Sequence, residues 1–315
     1  MKKTKFLILR FSSIGDIVLT TPVARCLKLQ YPNAEVHFAT KKQFRVLLEN
    51  NPYIDKILLL EKSLNEFIKD LQSEDYDYII DLHNNLRTSI IKFKLPAKSF
   101  SFDKLNFKKW LLVNLKINQM PDIHIVDRYL KTVESLGVKN DNRGLDYFIP
   151  EKDNILLENT KPFVAYAIGG QHFTKKLPTH KIIEICKNID SNIILLGGKE
   201  DFEIGEQIQK NIGDKVINAC GKYNLNQSAS LLQQANYVIS HDTGLMHIAA
   251  ALKKSIISIW GNTVPSFGMY PYLTKYQIIE NNDISCRPCS KIGFKKCPKG
   301  HFKCMEDLEV NDLKI

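Results

Sequence analysis

Ser240-His241-Asp242-Thr243-Gly244-Leu245-Met246-His247 follows a short apolar run, Tyr237 to Ile239, and leads into Leu245, Ile248, Ala249 and Leu252 at helical spacing. A strand turning into a helix there gathers polar groups around a helix N-terminus. Its N–H groups and partial positive charge suit a phosphate. The competing role for Asp242 or Thr243 is to cap the helix.

Four further loops carry comparable chemistry. Arg10-Phe11-Ser12-Ser13-Ile14-Gly15-Asp16 has one glycine, so it is neither the G-x-G-x-x-G fingerprint nor a P-loop. Asp16 would repel a phosphate there, but at the head of a helix it can take a proton from a substrate hydroxyl, or merely complement the helix N-terminus. Gly169-Gly170-Gln171-His172-Phe173-Thr174-Lys175-Lys176-Leu177-Pro178 combines glycines that admit a ligand close to the backbone with cations that match a diphosphate. Gly197-Gly198-Lys199-Glu200-Asp201 places Glu200 at a strand end, where an acid can hold ribose hydroxyls or cap a helix. In Asp81-Leu82-His83-Asn84-Asn85-Leu86-Arg87, the arginine can pair with an acidic saccharide group or with Asp81 itself.

These loops need strands that deliver them and helices that follow. Phe6 to Leu9, Val36 to Ala39, Ile57 to Leu60 and Tyr78 to Ile80 read as strands, with helical stretches after the first three and a periodic run from His124 to Leu136. Asn, Asp, Gly and Pro interrupt the pattern between Asp141 and Lys161. The alternation then restarts with strands at Phe163 to Ile168, Ile193 to Leu196, Val216-Ile217, Tyr237 to Ile239 and Ile256 to Trp260. Helices fall at Lys181 to Asn188, Phe202 to Asn211 and Leu225 to Gln234. Strand alternating with helix predicts parallel sheets covered on both faces, in two α/β doubly wound domains of ordinary size for 315 residues.

Hydrophobic residues at 44% and charged residues at 25% are the balance of a soluble globular chain. A net charge of +10 favours acidic partners. No stretch approaches a membrane span, and Phe6 to Leu9 is too short for a signal peptide before Arg10 interrupts it. A cytoplasmic protein is expected. Any membrane contact would be peripheral, at the inner face, through a basic and aromatic stretch such as Phe107-Lys108-Lys109-Trp110-Leu111-Leu112. The alternative for that stretch is an amphipathic helix packed on its own domain.

Seven cysteines divide unevenly: Cys26, Cys186 and Cys220 read as buried thiols, while Cys286, Cys289, Cys297 and Cys304 share the tail with His301. Their spacing suits a structural zinc, unliganded thiols or an iron–sulfur site; disulfides are disfavoured in a cytoplasmic protein.

Ser12-Ser13-Ile14-Gly15-Asp16, the loop ending Lys175-Lys176-Leu177-Pro178, and Asp242-Thr243-Gly244-Leu245-Met246-His247, in this order, resemble glycosyltransferase family 9, the family of ADP-heptose:lipopolysaccharide heptosyltransferases. The resemblance spans nearly the whole chain. It implies the GT-B fold, two Rossmann-like domains facing a central cleft: residues 1–155 binding the acceptor, and 156–315, with the Cys-rich tail 286–304, binding the nucleotide sugar. It implies inverting transfer of a heptose or related sugar from an ADP-sugar to a lipopolysaccharide core or other lipid-linked saccharide, with no cofactor or metal needed for catalysis.

Residue by residue, Asp16 matches the family's general base and Lys175 its phosphate-facing lysine. Gly169, Gly170, Lys176, Glu200, Asp242, Thr243, Gly244, Leu245 and His247 fall to the donor, and Ser13, Gly15 and Arg87 to the acceptor. Leu177 stands where many relatives have Trp, and Gly170-Gln171 where some have two hydroxyl residues. Two other functions fit the sequence less well. A nucleotide-sugar epimerase of the same architecture has no use for Asp16. A basic nucleic-acid-binding protein with a zinc tail leaves the glycine loops unexplained, so nucleic acid is not an expected partner.

Overall fold

The computed structural model describes residues 3–61, 63–157 and 161–310. Residues 158–160, within the break expected between Asp141 and Lys161, lie outside the described residues, as do 1–2, 62 and 311–315. The chain divides into two compact units, Met1–Lys104 with Ile123–Phe148, and Leu105–Asp122 with Ile149–Ile315.

The first unit is built on five parallel strands, β1 (Thr4–Leu9), β2 (Ala34–Lys41), β3 (Lys56–Leu60), β4 (Tyr78–Asp81) and β5 (Lys98–Ser101), in the order β3-β2-β1-β4-β5. Its helices are α1 (Ile14–Val18), α2 (Thr21–Gln30), α3 (Leu64–Gln72), α4 (Leu86–Lys94) and, after α5 (Asn106–Trp110) of the second unit, α6 (Ile125–Leu130). Phe6, Leu7, Ile8 and Leu9 are fully buried, as a central strand covered on both faces requires.

The second unit holds six strands, all in parallel pairings: β6 (Phe163–Ala167), β7 (Asn192–Leu196), β8 (Val216–Asn218), β9 (Tyr237–His241), β10 (Ser255–Trp260) and β11 (Tyr276–Glu280), in the order β11-β10-β9-β6-β7-β8. The helices α7 (Thr179–Lys187), α8 (Phe202–Ile212), α9 (Leu225–Gln234), α10 (Gly244–Ala251) and α11 (Lys303–Glu306) follow. Each sheet begins at an inner strand and is extended to both sides, the doubly wound pattern expected.

The differences from the sequence reading are local. A 3-10 turn, Lys42–Leu47, replaces the helix expected after β2. The periodic run from His124 stops as an α-helix at Leu130; the Thr132 hydroxyl donates to the Tyr129 carbonyl at 2.6 Å, giving the backbone a local alternative to continued helix. Strands β5 and β11 are not expected from the sequence: Lys98–Ser101 has a single apolar residue, and Tyr276–Glu280 is neither a continuous apolar run nor a strict alternation.

The interruption after residue 140 is pinned rather than loose. Arg25 of α2, fully buried, pairs with Asp141 at 2.8 Å and with Asp146, and donates to the Gly144 carbonyl at 2.8 Å. A cation removed from water in this way is tolerable only because two carboxylates and a carbonyl surround it.

Candidate active site

In the first unit, β1 and β4 are neighbours although two strands separate them in the chain, and Leu9 pairs in register with Asp81. The loops after these strands therefore leave the sheet side by side at the topological switch point, where such folds bind ligands. The first loop runs into α1 and carries Asp16. One carboxylate oxygen is 2.6 Å from Arg10 Nη2; the other accepts from the Ser13 hydroxyl at 2.7 Å and the Ser13 N–H at 3.1 Å. Arg10 is itself buried, donating to the Ser12 carbonyl at 2.8 Å, the Leu82 carbonyl at 2.5 Å and the Tyr129 hydroxyl at 3.1 Å. Asp16 thus complements α1, but it is also a partly open carboxylate in fixed orientation. Gly15 is buried beside it and Ser13 exposed.

The second loop brings His83 and Arg87 to the same place. The pairing of Arg87 with Asp81 does not form: Lys92 reaches Asp81 at 2.9 Å, and the N–H groups of His83 and Asn84 donate to its other oxygen. Arg87 lies over the Phe11 ring instead, 5.7 Å from its centre. Burial, with Arg10 and Lys104 nearby, pushes His83 down to about 4, so it is neutral at physiological pH.

The second unit repeats the arrangement with opposite charge. Its switch point lies between β6 and β9, where Ala167 pairs with Ser240. Lys175, on the loop after β6, meets the Asp242 carboxylate at 2.6 Å and donates to the Asp242 carbonyl at 3.2 Å. The Thr263 hydroxyl donates to the same carboxylate oxygen at 2.9 Å. Asp242 therefore does not cap α10, and Thr243, at the N-cap position, makes no side-chain cap hydrogen bond.

Two glycines permit this closeness. A Cβ on Gly170 would press on Lys176 at 3.2 Å and Thr243 at 3.3 Å, and one on Gly169 would sit 2.5 Å from an Asp201 carboxylate oxygen. Asp201 is buried, 3.2 Å from Lys176 Nζ and accepting from the Gly198 N–H at 3.0 Å. Lys176 thus serves the loop, while Lys175 faces α10.

A family model, glycosyltransferase family 9 (heptosyltransferase), matches residues 64–299. The chain belongs to glycosyltransferase family 9. It is 28% identical to lipooligosaccharide heptosyltransferase 2 of Haemophilus ducreyi, over 87% of this chain and 88% of the relative. It is 25% identical to lipooligosaccharide heptosyltransferase 2 of Haemophilus influenzae, over 91% and 92%. The solved family 9 glycosyltransferase of Veillonella parvula aligns with a TM-score of 0.76 at 23% identity, covering 89% of this chain and 86% of that one. Escherichia coli heptosyltransferase WaaC, solved with ADP-2-deoxy-2-fluoro heptose, aligns at 0.69 and 20% identity, covering 87% and 92%. The fold is of the GT-B type, with two Rossmann-like sheets.

Not every residue assigned from the family 9 resemblance joins these two groups. Glu200 is exposed on the 3-10 turn Lys199–Asp201, Gly244 and Leu245 are half-buried in the first turn of α10, and His247 is buried one turn on. Arg10, Tyr129, Asp201 and Thr263 join the two groups in the fold although the sequence alone assigns them no role. Arg10 was the most accessible to reasoning, since a cation ending an apolar strand needs a partner. Thr263 is brought in only by the pairing of β9 with β10.

His241, the last residue of β9, is fully buried. Burial drives it down to about 4, with Lys176 adding, and its neutral Nε2 accepts from the Leu177 N–H at 3.0 Å. Below its ordinary value near 6.5, the unfolded chain binds this proton and the folded chain does not. Stability is therefore full above that value and falls as pH drops towards 4, by up to about 1.4 kcal/mol per pH unit for each such group. Urea midpoints measured from pH 7 to 4.5 should fall, and His241→Gln should flatten the decline; an unchanged slope in that variant would remove His241 as a source.

The tail whose cysteine spacing suits a structural zinc packs on the core of the second unit. Cys304 belongs to the core around Met305 and Leu308; burial pushes it up to about 12, with Cys289, Cys286 and Cys297 adding. Cys289 Sγ donates to the Cys286 carbonyl at 3.1 Å, and Cys286 Sγ is 3.9 Å from His301 Nε2. Among the described residues no group of three or more His, Cys, Asp or Glu side chains is arranged to hold a metal ion. The thiols are neighbours because the tail folds over the second-unit core, which turns Cys304 inward as an apolar residue.

Proposed function

We propose that this family 9 glycosyltransferase transfers a heptose, with inversion, from an ADP-heptose donor to the inner core of lipopolysaccharide or lipooligosaccharide. The observation that carries the reading is the pair of switch points, one presenting the Asp16 carboxylate and the other presenting Lys175 beside the start of α10. The relatives named as lipooligosaccharide heptosyltransferases, aligned over most of their length, support the substrate class.

In this mechanism Asp16 accepts the proton of the acceptor hydroxyl as its oxygen bonds to the anomeric carbon. The bond from that carbon to the diphosphate breaks, and the leaving ADP keeps the electron pair. Lys175 and the N–H groups opening α10 stabilise the charge that develops on the diphosphate, so the residues themselves supply the neutralisation. The first unit holds the acceptor, with Ser13, Gly15 and Arg87 near the attacking hydroxyl. The second holds the donor, with Gly169, Gly170, Thr243, Gly244, Leu245 and His247 around the nucleotide sugar and Glu200 on the ribose. Lys176 acts on the donor indirectly, through Asp201 and the loop.

Incubation with ADP-heptose and a heptose-deficient lipopolysaccharide acceptor tests the reading. Equal amounts of ADP and extended acceptor are expected. Conversion of the sugar to its epimer without ADP release would identify an epimerase instead, and ADP release without an extended acceptor would place the acceptor class in error.

A further inference from the structure

The segment Leu105–Asp122 groups with the second unit although its neighbours in sequence belong to the first. It begins with α5 and continues through a wider helical turn, Leu111–Leu115. A helix packed on its domain buries an apolar stripe. Here α5 buries no residue, and the continuation buries only Leu112. Phe107 is 70% exposed, Trp110 50%, Leu115 53% and Ile117 47%, and the Phe107 and Trp110 rings stack 6.4 Å apart. The segment packs through Leu112 but turns most of its large apolar side chains outward.

A second stretch adjoins it. Lys116 Nζ donates to the carbonyls of Cys286 and Pro288, at 2.9 and 2.8 Å, tying the segment to the tail. From Ile284 to Met305 the tail has five lysines and one arginine and no acidic residue. The arginine, Arg287, is buried and spent on Glu280 and on carbonyls of the fold. Lys291, Lys295, Lys296, Lys299 and Lys303 are exposed and make no ion pair among the described residues. Ile292 and Phe294 stand exposed among them.

Unpaired lysines interleaved with outward aromatic and aliphatic side chains match one kind of partner in both charge and polarity. We infer that these two joined stretches dock the enzyme on an anionic phospholipid bilayer, the apolar side chains entering the headgroup layer and the lysines facing lipid phosphates. A soluble phosphate or a nucleic acid would use the lysines but leave Leu115, Ile117 and Ile292 without purpose. The inference deepens the reading above, in which the acceptor is lipid-linked, by naming the surface that brings the second unit to the membrane.

The full chain, sedimented with vesicles of phosphatidylcholine alone or mixed with phosphatidylglycerol, supplies the test without depending on transfer activity. Binding to the anionic vesicles only, weakened by salt, is expected. Trp260 is buried, so a blue shift of tryptophan emission on binding reports Trp110. Removing lysine charge with Lys295→Gln, Lys296→Gln and Lys299→Gln together should lower partitioning by roughly 100-fold, at about fivefold per lysine. Phe107→Ser with Trp110→Ser should lower it by roughly tenfold. Unchanged thermal unfolding of these surface variants confirms that they fold. No binding, equal binding to both vesicles, or variants that bind like the parent overturn the inference. So does displacement by inorganic phosphate or DNA without a blue shift. Such a failure would leave the transfer reading intact, since that is judged by ADP and extended acceptor alone.

Discussion

Asp16→Asn should reduce transfer by about 10³-fold, within the range a positioned general base contributes, while ADP affinity stays close to that of the parent. The substitution keeps size and shape, so Ser13 can still bond the side chain and α1 keeps its first turn. What is lost is the charge that receives the proton. Arg10 then holds a neutral amide where it held a carboxylate at 2.6 Å, and its guanidinium, buried and bonded to Ser12, Leu82 and Tyr129, cannot follow the lost partner into solvent. Some destabilisation of the first unit should accompany the loss of activity. Single-turnover assays with saturating donor, alongside ADP titration, separate these effects. Turnover near that of the parent would remove Asp16 as the base and return it to the role of helix complement.

Lys175→Met should lower kcat/KM by about 10² to 10³-fold, the usual cost of losing one donor to developing charge. Its effect has two parts that the structure separates. In the proposed mechanism the variant loses the cation that meets the diphosphate, and it leaves Asp242 with the Thr263 hydroxyl as its remaining partner among the described residues, so an uncompensated negative charge stands at the proposed donor site. Adding Asp242→Asn to Lys175→Met should therefore recover part of the lost ADP affinity without recovering the rate, a coupling that a double-mutant cycle reads directly. Lys176→Met should behave differently, weakening the Asp201 loop and donor affinity with a smaller change in kcat. Equal losses at the two lysines, or strictly additive effects of Lys175 and Asp242, would show that the division between them is mistaken.

The legible part of this protein was whatever its local pattern carries. Continuous apolar runs such as Phe6 to Leu9 have one physical solution when helices alternate with them, a buried parallel strand, and nearly every inner strand could be placed from that rule. Strands β5 and β11 lie outside it, because their residues mix polar and apolar without a run or a strict alternation. Loops with chemistry were legible for a related reason. Glycine, lysine and aspartate just after an inner strand stand where doubly wound sheets bind ligands, so these loops draw the eye before the fold is known.

Roles within those loops were less so. Lys175 and Lys176 are adjacent and chemically identical, yet one reaches Asp242 and the other the buried Asp201. Arg87 is the expected pair for Asp81 in the chain, and it is Lys92, further along α4, that the fold brings to that carboxylate. The four tail cysteines have the spacing of a metal site, and only the fold shows that Cys304 is packed into the core while Cys286, Cys289 and Cys297 are half-buried beside it.

By itself, then, the sequence determined the two α/β layers, the order of their strands along the chain and the loops that leave the inner strands, because strand burial and helix periodicity are properties of neighbouring residues. Strand order within each sheet was decided only in three dimensions. It is the neighbouring of β1 with β4, and of β6 with β9, that sets Asp16 beside Arg87's loop and Lys175 against Asp242. Charges so far apart in sequence find their partners through packing. That is why the same residues could be named from the chain, while which cation answers which carboxylate could be read only from the fold.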